Sequence, residues 1–436
     1  MLSMIDLTEL SLDDYSSVLP RGQFDVGHAV DVVRPVCEAV RDQGQDALLR
    51  FSEQFDHVVP VSLRVPAQAL RDALDQIDPA VRAAIEVSIE RRRTVCEQTE
   101  TEPHYRNVEL APGAVVGNVM VPVQRVGLYV PGGLAPLASS VVMNVVPAQV
   151  AGVESLAVAT PPQAEFGGLP HPVILATCAL LGVDEVYAVG GSQAIAMFAY
   201  GVAGLCPRVD LVTGPGNIYV VAAKRLLRGV VGIDAEAGPT EIAVIADETA
   251  DARFVAADLI SQAEHDPMAG SVLITDSRDL ADRVQREIDS QVARLDTADR
   301  LRKALGGPQS AIVLVSGIDQ AVDVANAYAA EHLEIQTADA STVARRIRNA
   351  GAVFVGDYAP VPLGDYSAGS THVLPTGSAA RYSSGLTVRS FMKSMHIIEY
   401  SREGLAAIAD GIVDFAHAER LPGHAAAIQL RVEEER

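Results

Sequence analysis

The sequence predicts an α/β protein with two Rossmann-like parallel-sheet units, a short N-terminal segment and a helical C-terminal tail. From about residue 121, short apolar runs alternate with helical patterns, and most of these runs lack the polar alternation of a half-exposed strand. Continuous apolar strands separated by helices indicate a parallel sheet that helices cover on both faces. The 436 residues are 49% hydrophobic, which allows a large buried core.

The elements follow in chain order from these patterns. Residues 30–101 read as helical, and residues from about 386 onward read as a helical, charged tail. Two series of strands are predicted between them, at 126–130, 156–160, 185–189, 209–213 and 241–246, then at 271–275, 310–315, 333–336 and 352–355. Ligands of parallel sheets bind at the carboxyl ends of the strands, where the Gly/Pro turns of the first series fall.

This order predicts a discontinuous larger domain. A short segment covers residues 1–21, and the larger α/β domain combines 22–128 with 239–382. The smaller α/β domain covers 129–238, and the tail covers 383–436.

Composition argues against several classes of partner. Because 56 acidic residues outnumber 34 basic ones, the net charge is -22, which disfavours nucleic acid and anionic membranes. We expect a cytosolic protein, since the start is acidic and the apolar stretch 141–153 is interrupted and too short for a membrane span. The four cysteines, Cys37, Cys96, Cys178 and Cys206, are isolated, so we expect neither a disulfide scaffold nor an all-cysteine zinc site.

Metal-ligand and acid/base residue types cluster in the C-terminal half. Gln262 and His265 lie three apart on a predicted helix that begins near Ala252, which places both on one face and suits a divalent ion such as zinc. The alternative is a capped helix end at Asp266 and Pro267. Glu331 and His332 are predicted to end another helix, where His332 is either a general base or a charge at the helix dipole.

Two further patches are weaker by themselves. Asp365 lies in a predicted glycine-bounded loop, where acids often form turns. His424 follows Pro422 and Gly423 in what could be a polar tail helix. No complete dinucleotide or phosphate-loop fingerprint is present, although the turns 131–133 and 214–217 are candidate approaches to a phosphate group.

Taken together, these motifs resemble one family, the histidinol dehydrogenases. The likeness extends over essentially the whole chain in a series of ordered motifs: VGLYVPGG at 126–133, GGSQAIA at 190–196, GPGN at 214–217, AGPTE at 237–241, QAEHD at 262–266, EHLE at 331–334, GDY at 364–366 and ERLPGH at 419–424. The resemblance implies a homodimer that exchanges its C-terminal tails. It also implies one Zn²⁺ per subunit, held by Gln262, His265, Asp365 and the His424 of a partner chain.

The resemblance further implies a four-electron oxidation of L-histidinol to L-histidine through histidinaldehyde, with two NAD. His332 would take the alcohol proton, and Glu331 would then activate water to hydrate the aldehyde. The implied substrate-binding residues are the zinc ligands, His332 and three others: Thr240, His372 and Glu419. NAD would bind the smaller domain through Tyr129, Gln193 and Asn217.

Three other functions compete with this one. A relative with the same zinc and NAD apparatus could oxidise another small alcohol such as a sulfonated diol, although the Glu419 carboxylate suits a cationic or imidazole-bearing substrate and repels a sulfonate. A zinc hydrolase would use Glu331 and His332 to activate water without NAD. A non-catalytic α/β binding protein would leave the metal-type residues unexplained.

Overall fold

The computed structural model describes residues 2–11, 15–22, 26–132, 135–236 and 238–433. The motifs at 126–133 and 237–241 each include one residue outside these ranges, Gly133 and Ala237. The last three residues of the predicted charged end, 434–436, also lie outside them. No helix within the described ranges combines the length and apolar character that crossing a bilayer requires.

The elements are numbered in chain order. The strands are β1 (Ser3–Asp6), β2 (Tyr105–Ala111), β3 (Ala114–Pro122), β4 (Arg125–Tyr129), β5 (Ser155–Thr160), β6 (Val186–Ala188), β7 (Leu211–Thr213), β8 (Gly232–Ile233), β9 (Glu241–Ala246), β10 (Gly270–Thr275), β11 (Ala311–Leu314), β12 (His332–Gln336), β13 (Ala352–Val355) and β14 (Met392–Tyr400). The helices are α1 (Val26–Gln43), α2 (Gln45–Phe51), α3 (Ala67–Gln76), α4 (Pro79–Val95), α5 (Ala138–Ala151), α6 (Pro172–Leu180), α7 (Gly191–Tyr200), α8 (Ile218–Leu227), α9 (Ala252–Ala263), α10 (Arg278–Val292), α11 (Ala298–Leu305), α12 (Ile318–Tyr328), α13 (Ala340–Ala344), α14 (Val361–Tyr366), α15 (Arg402–Ala406), α16 (Ala409–Ala418) and α17 (Pro422–Val432). Short π turns cover Ser52–Asp56 and Cys96–Glu100, and 3-10 turns cover Ala164–Phe166, Ala379–Arg381 and Val388–Phe391.

The chain forms two compact units. Unit 1 comprises Met1–Glu100 and Gln124–Ser390, and unit 2 comprises Thr101–Val123 and Phe391–Arg436. Unit 1 contains two parallel sheets, and unit 2 contains one antiparallel sheet. The α/β fold class predicted from the apolar runs is confirmed.

The larger sheet of unit 1 has six parallel strands in the order β1-β11-β10-β9-β12-β13. Its four central strands, β9 to β12, are buried along their whole length, as continuous apolar runs in a doubly covered sheet should be. The N-terminal segment adds the edge strand β1 beside β11. The chain runs from β9 to β11 in one direction and returns to place β12 on the other side of β9.

The smaller sheet of unit 1 has five parallel strands in the order β6-β5-β4-β7-β8. Helices α7 and α8 begin directly after the turns that follow β6 and β7. The N–H groups at the start of α8 are capped by Asn217, whose Oδ1 accepts bonds from Tyr219 N at 3.0 Å and Val220 N at 3.2 Å. The turns at this edge therefore present helix N-termini at the carboxyl ends of the strands.

Unit 2 pairs β3 with β2 and β14 in an antiparallel sheet, and α15 to α17 follow. The helical tail is confirmed from Arg402 onward. The tail begins with strand β14, however, and β2, β3 and β14 were not predicted. Strand β2 is exposed at every residue, so it carries no apolar run from which a buried strand could be recognised.

The predicted division of unit 1 into a larger and a smaller domain remains a prediction. The five-stranded sheet begins at Arg125, close to the boundary predicted at 129. Its last strand ends at Ile233, before the boundary predicted at 238/239.

Candidate active site

Three predicted site residues form a hydrogen-bonded row at the amino edge of the six-stranded sheet. Thr240 directly precedes β9, and Glu331 directly precedes the neighbouring strand β12. Thr240 Oγ1 donates to Glu331 Oε2 at 2.5 Å, and Gln262 Nε2 donates to Thr240 Oγ1 at 2.5 Å. Residues from two strand ends and one helix end therefore meet at one point.

The local placement of the predicted residues differs from expectation. Helix α12 ends at Tyr328 because Ala329 takes a left-handed conformation with φ 51°, so His332 begins a strand instead of ending a helix. His265 lies beyond the end of α9, while Gln262 is in its last turn. Asp365 lies within helix α14 instead of a loop.

His332 is held in the form of a neutral base. Its Nδ1 lies 3.3 Å from the carbonyl oxygen of Glu241, an acceptor only, so Nδ1 carries the proton and Nε2 has the free lone pair. Nε2 is buried and has no hydrogen-bond partner among the described residues. Burial lowers the pKa of His332 to about 3, and the nearby charges of His265 and His372 act in the same direction. The ring is therefore neutral at pH 7.

Glu331 is a carboxyl group that resists ionisation. Burial raises its pKa to about 8, and the charges of Glu241 and Asp365 add to this effect, against the bonds from Thr240 and Glu241 N. Its Oε2 accepts the Glu241 N–H at 3.1 Å and lies 3.7 Å from His332 Nδ1. The site therefore pairs a buried acid whose pKa lies near neutrality with a neutral imidazole, and shifted pKa values of this kind are typical of functional sites.

Three further predicted residues of unit 1, Asp365, His372 and His265, have shifted pKa values. Burial raises the pKa of Asp365 to about 6, lowers that of His372 to about 4, and lowers that of His265. A proton on His265 would disfavour a second proton on His332 or His372, which lowers the pKa of both rings further. Glu419 and His424 lie in unit 2, where both side chains are exposed.

One observation tests whether these residues suit a metal ion. Gln262 Oε1 is buried and has no hydrogen-bond partner within the described part of the chain, although a buried amide oxygen normally has one. His265 offers a ring nitrogen and Asp365 offers carboxylate oxygens, so the three residues supply N and O donors that suit zinc. Within the described ranges no three His, Cys, Asp or Glu side chains form a metal-binding group, and this set contains only two of those types.

The predicted cofactor residues lie at the carboxyl edge of the five-stranded sheet. Tyr129 ends β4, and its hydroxyl accepts the Gly191 N–H at 3.1 Å. Gln193 lies in the first turn of α7, is 1% exposed, and neither of its amide atoms has a partner among the described residues. Asn217, which caps α8, is exposed. The unpaired amide of Gln193 suits a ligand with both donors and acceptors.

A cavity of about 560 Å³ joins the two edges. It is lined by the turn 214–217 of the smaller sheet and by Thr240, Glu331 and His372 of the larger one. The carboxyl edge of the five-stranded sheet thus shares a cavity with the amino edge of the six-stranded sheet. The rule that ligands bind at carboxyl ends of strands applies here to the smaller sheet alone.

Sequence reasoning missed a buried polar cluster behind the site. Gln336 Nε2 donates to Asp258 Oδ2 at 2.9 Å and to Glu334 Oε2 at 3.0 Å, and Glu334 Oε1 accepts the Val361 N–H at 3.0 Å. The cluster ties β12 to α9 and to the start of α14, the elements that carry Gln262 and Asp365. The available signal was the alternation of His332, Glu334 and Gln336 with two apolar residues along β12.

The cysteines have no place in this site. All four are free and buried. Burial raises the pKa of Cys37, Cys96 and Cys178 to about 12 and also raises that of Cys206. Such thiols are poor nucleophiles at pH 7.

Comparison with known proteins decides the family. The family model described as histidinol dehydrogenase matches residues 19–432. The chain belongs to the histidinol dehydrogenase family. Two relatives named histidinol dehydrogenase are 63% identical over 99% of both chains (Cutibacterium acnes) and 60% identical over 100% of this chain and 98% of the relative (Thermobifida fusca).

A solved structure extends the likeness to three dimensions. The crystal structure of histidinol dehydrogenase from Elizabethkingia anophelis superposes with a TM-score of 0.91 at 30% identity, covering 99% of this chain and 98% of that one. The family predicted from the ordered motifs is confirmed. As a histidinol dehydrogenase family member the chain is an oxidoreductase, so the hydrolase and non-catalytic readings of its sequence find no support.

Proposed function

We propose that this protein oxidises L-histidinol to L-histidine through histidinaldehyde, as the last reaction of histidine biosynthesis. One Zn²⁺ per subunit and two NAD per substrate would take part. The observation that carries the proposal is the cavity shared by the turn 214–217, Thr240, Glu331 and His372, because it brings the proposed dinucleotide turn and the proton-transfer residue Glu331 to one space.

Gln262, His265, Asp365 and His424 would hold the zinc. The partnerless Oε1 of Gln262 supports this assignment. Tyr129, Gln193 and Asn217 would hold the dinucleotide, and the partnerless amide of Gln193 supports that one. When bound, zinc would orient the substrate and NAD would accept the hydride.

His332 would act in the first oxidation. Its Nε2 has the free lone pair, so it takes the proton of the alcohol hydroxyl group. The hydrogen on the carbinol carbon leaves as hydride to NAD in the same step, and the alcohol becomes an aldehyde. Because the ring is buried and neutral, it is in the accepting form throughout the neutral pH range.

Glu331 would act in the second oxidation. In its ionised form it takes a proton from the water that adds to the aldehyde, and loss of a second hydride from the hydrate then gives the carboxylic acid. Thr240 and Gln262 hold the Glu331 carboxylate in place. Thr240, His372 and Glu419, with the zinc ligands and His332, would bind the substrate.

We also propose a homodimer in which His424 and Glu419 serve the partner's active site. Both side chains are exposed in the single chain. Unit 2 also exposes large apolar side chains, among them Ile398 at 70%, Phe415 at 69% and Leu430 at 74%, which a monomer rarely leaves uncovered as a group. The four unpaired cysteines suit a reducing compartment, so we place the enzyme in the cytoplasm.

The reaction is tested by counting NADH formed from a known amount of L-histidinol, before and after chelation. Two NADH per histidinol, lost on chelation and restored by zinc, would support the proposal. If zinc-loaded protein binds NAD but forms no NADH from histidinol, another alcohol such as a sulfonated diol is the substrate.

The shared site is tested by mixing two inactive variants, His424→Ala and His332→Asn, under conditions that exchange subunits. If His424 acts in the partner's site, half of the sites in each mixed dimer are complete, and activity recovers to about a quarter of wild type in a random mixture. If His424 acts in its own subunit, no mixed dimer has a complete site and no activity returns.

A further inference from the structure

The backbone of the turn 214–217 requires glycine at two positions. Gly214 has φ 115°, a region that side chains avoid, and a Cβ there would collide with the carbonyl oxygen of Tyr129. A Cβ on Gly216 would collide with the side chain of Val220. The turn lines the cavity that also contains Glu331 and His372.

A buried ion pair holds this turn. Lys224, on α8, and Asp234, just after β8, are 3% and 6% exposed in their side chains and form an ion pair. Lys224 Nζ donates to the Gly214 carbonyl at 2.9 Å, and Asp234 Oδ2 accepts the Gly214 N–H at 2.8 Å. Both polar groups of the Gly214 backbone are therefore bound by the two members of the pair.

Stability alone does not explain why this ion pair is buried. Burying two charges loses their hydration, and apolar side chains of similar volume usually serve a core as well or better. The charges here replace the backbone partners that a turn with positive φ cannot find in the sheet. The adjacent pair on the same two segments, Arg225 and Glu236, is 46% and 26% exposed and has no part in the turn.

We propose that Lys224 and Asp234 are positioning residues that fix the 214–217 turn in the conformation that receives the dinucleotide. This inference rests on the proposed function, since it assumes that NAD binds at this turn. The pair acts through Gly214, so it should govern dinucleotide affinity and leave histidinol and zinc binding unchanged.

The experiment measures NAD affinity by calorimetry, together with KM for NAD, KM for histidinol and zinc content, on zinc-loaded enzyme. Lys224→Met and Asp234→Asn should each weaken NAD binding by about tenfold or more, which is the usual effect of losing a buried charge-assisted bond. The matched control Arg225→Met breaks the neighbouring exposed pair and should change NAD affinity less than about twofold.

The double variant Lys224→Gln with Asp234→Asn keeps a neutral donor and acceptor for Gly214. Recovery of NAD affinity in it supports positioning. If the double variant regains thermal stability but not NAD affinity, the pair does not act by positioning the turn. The Lys224 charge would then contact the dinucleotide directly. Unchanged NAD affinity in folded Lys224→Met and Asp234→Asn also overturns the inference, whereas wild-type protein that binds no NAD overturns the proposed function itself.

Discussion

Ser140 and His372, 232 positions apart in the chain, meet in a partly buried hydrogen bond of 3.0 Å between Oγ and Nε2. The other ring nitrogen, Nδ1, lies 3.2 Å from the carbonyl oxygen of Asp365. A carbonyl only accepts, so Nδ1 donates to it and Nε2 accepts from the Ser140 hydroxyl. Helix α5 thereby fixes the ring of a proposed substrate residue and the backbone of a proposed zinc ligand.

The same helix also reaches the dinucleotide side. Asn144 Nδ2 donates to the Ser140 carbonyl at 2.7 Å, and its Oδ1 accepts from Thr213 Oγ1 at 2.8 Å, one residue before the turn 214–217. All of Ser140, Asn144 and Thr213 are fully buried. The two halves of the cavity are therefore held at a fixed spacing by one row of polar side chains.

Ser140→Ala should raise KM for histidinol more than it lowers kcat, because it frees the His372 ring without touching the acid/base pair. Leaving Nε2 buried without a partner should cost about 1–2 kcal/mol of unfolding free energy. Denaturant unfolding and steady-state kinetics measure both. Ser88→Ala is the control, since Ser88 is buried with no hydroxyl partner among the described residues, and it should cost much less. Equal losses in the two variants would contradict the role of Ser140.

His332→Asn should nearly abolish the first oxidation while zinc stays bound. Asn cannot accept the alcohol proton, and a lost general base typically lowers the rate by about 10²–10⁴ fold. The first turnover is followed as NADH formed from histidinol, with zinc content measured on the same sample. Normal turnover with histidinol would exclude His332 as the base.

Glu331→Gln should spare aldehyde formation and slow the second oxidation. The amide keeps a hydrogen-bonding oxygen near Thr240 but cannot take a proton from water. NADH per histidinol should then fall from two towards one, and an aldehyde trap should capture the intermediate. An equal loss of both steps would argue against a water-activating role.

The strands that were predicted and those that were missed differ in burial. Strands β9 to β12 are buried along their length. The apolar runs of β9, β10 and β11 allow these strands to be predicted from the sequence. The exposed strand β2 has no such run, and β14 was absorbed into the helical tail. The ends of helices and strands were also hard to predict. The local sequence does not indicate that Ala329 adopts a left-handed conformation, which ends the helix so that His332 begins a strand.

The candidate site was predicted through the resemblance of its motifs to a family, and not through local patterns. Thr240 and Glu331 are 91 positions apart, and each alone is an ordinary polar residue beside a strand. Side chains such as Ser140 and Lys224 are visible only once the chain is folded, because their partners come from distant segments. Sequence patterns specify elements, but pairing across elements depends on the tertiary fold.

The fold should tolerate replacement of Glu334 by Gln but not by Ala. Burial and the neighbouring charge of Asp258 raise the pKa of Glu334 well above its ordinary range, which favours the protonated form of Glu334 and a proton shared with Asp258. Glu334→Gln should change the unfolding free energy by less than about 1 kcal/mol, whereas Glu334→Ala, which strips acceptors from Val361 N and Gln336, should cost about 3 kcal/mol. Thermal unfolding and chelator-driven zinc release measure the effect, and similar losses in both variants would contradict the shared proton.

The carboxyl group of Asp56 should make the free energy of unfolding depend on pH between about pH 4 and about pH 6. Burial raises its pKa to about 6, and its Oδ2 is buried without a partner among the described residues. An unfolded Asp ionises near pH 4, so the neutral form favours the folded state, and the stability from this group is complete below about pH 4 and lost as pH rises through about 6.

Asp56→Asn should therefore stabilise the protein at pH 8 and make no difference at pH 4. Full burial would give about 3 kcal/mol for a shift of this size, and partial exposure reduces the expected gain to about 1 kcal/mol. Denaturant unfolding of protein without NAD, from pH 4 to pH 8, measures it. The control is Asp184→Asn, which changes an exposed acid just before β6 and should show no such gain. A gain for Asp56→Asn that grows towards acid pH would reverse the sign of the argument and exclude a buried carboxylate as its cause.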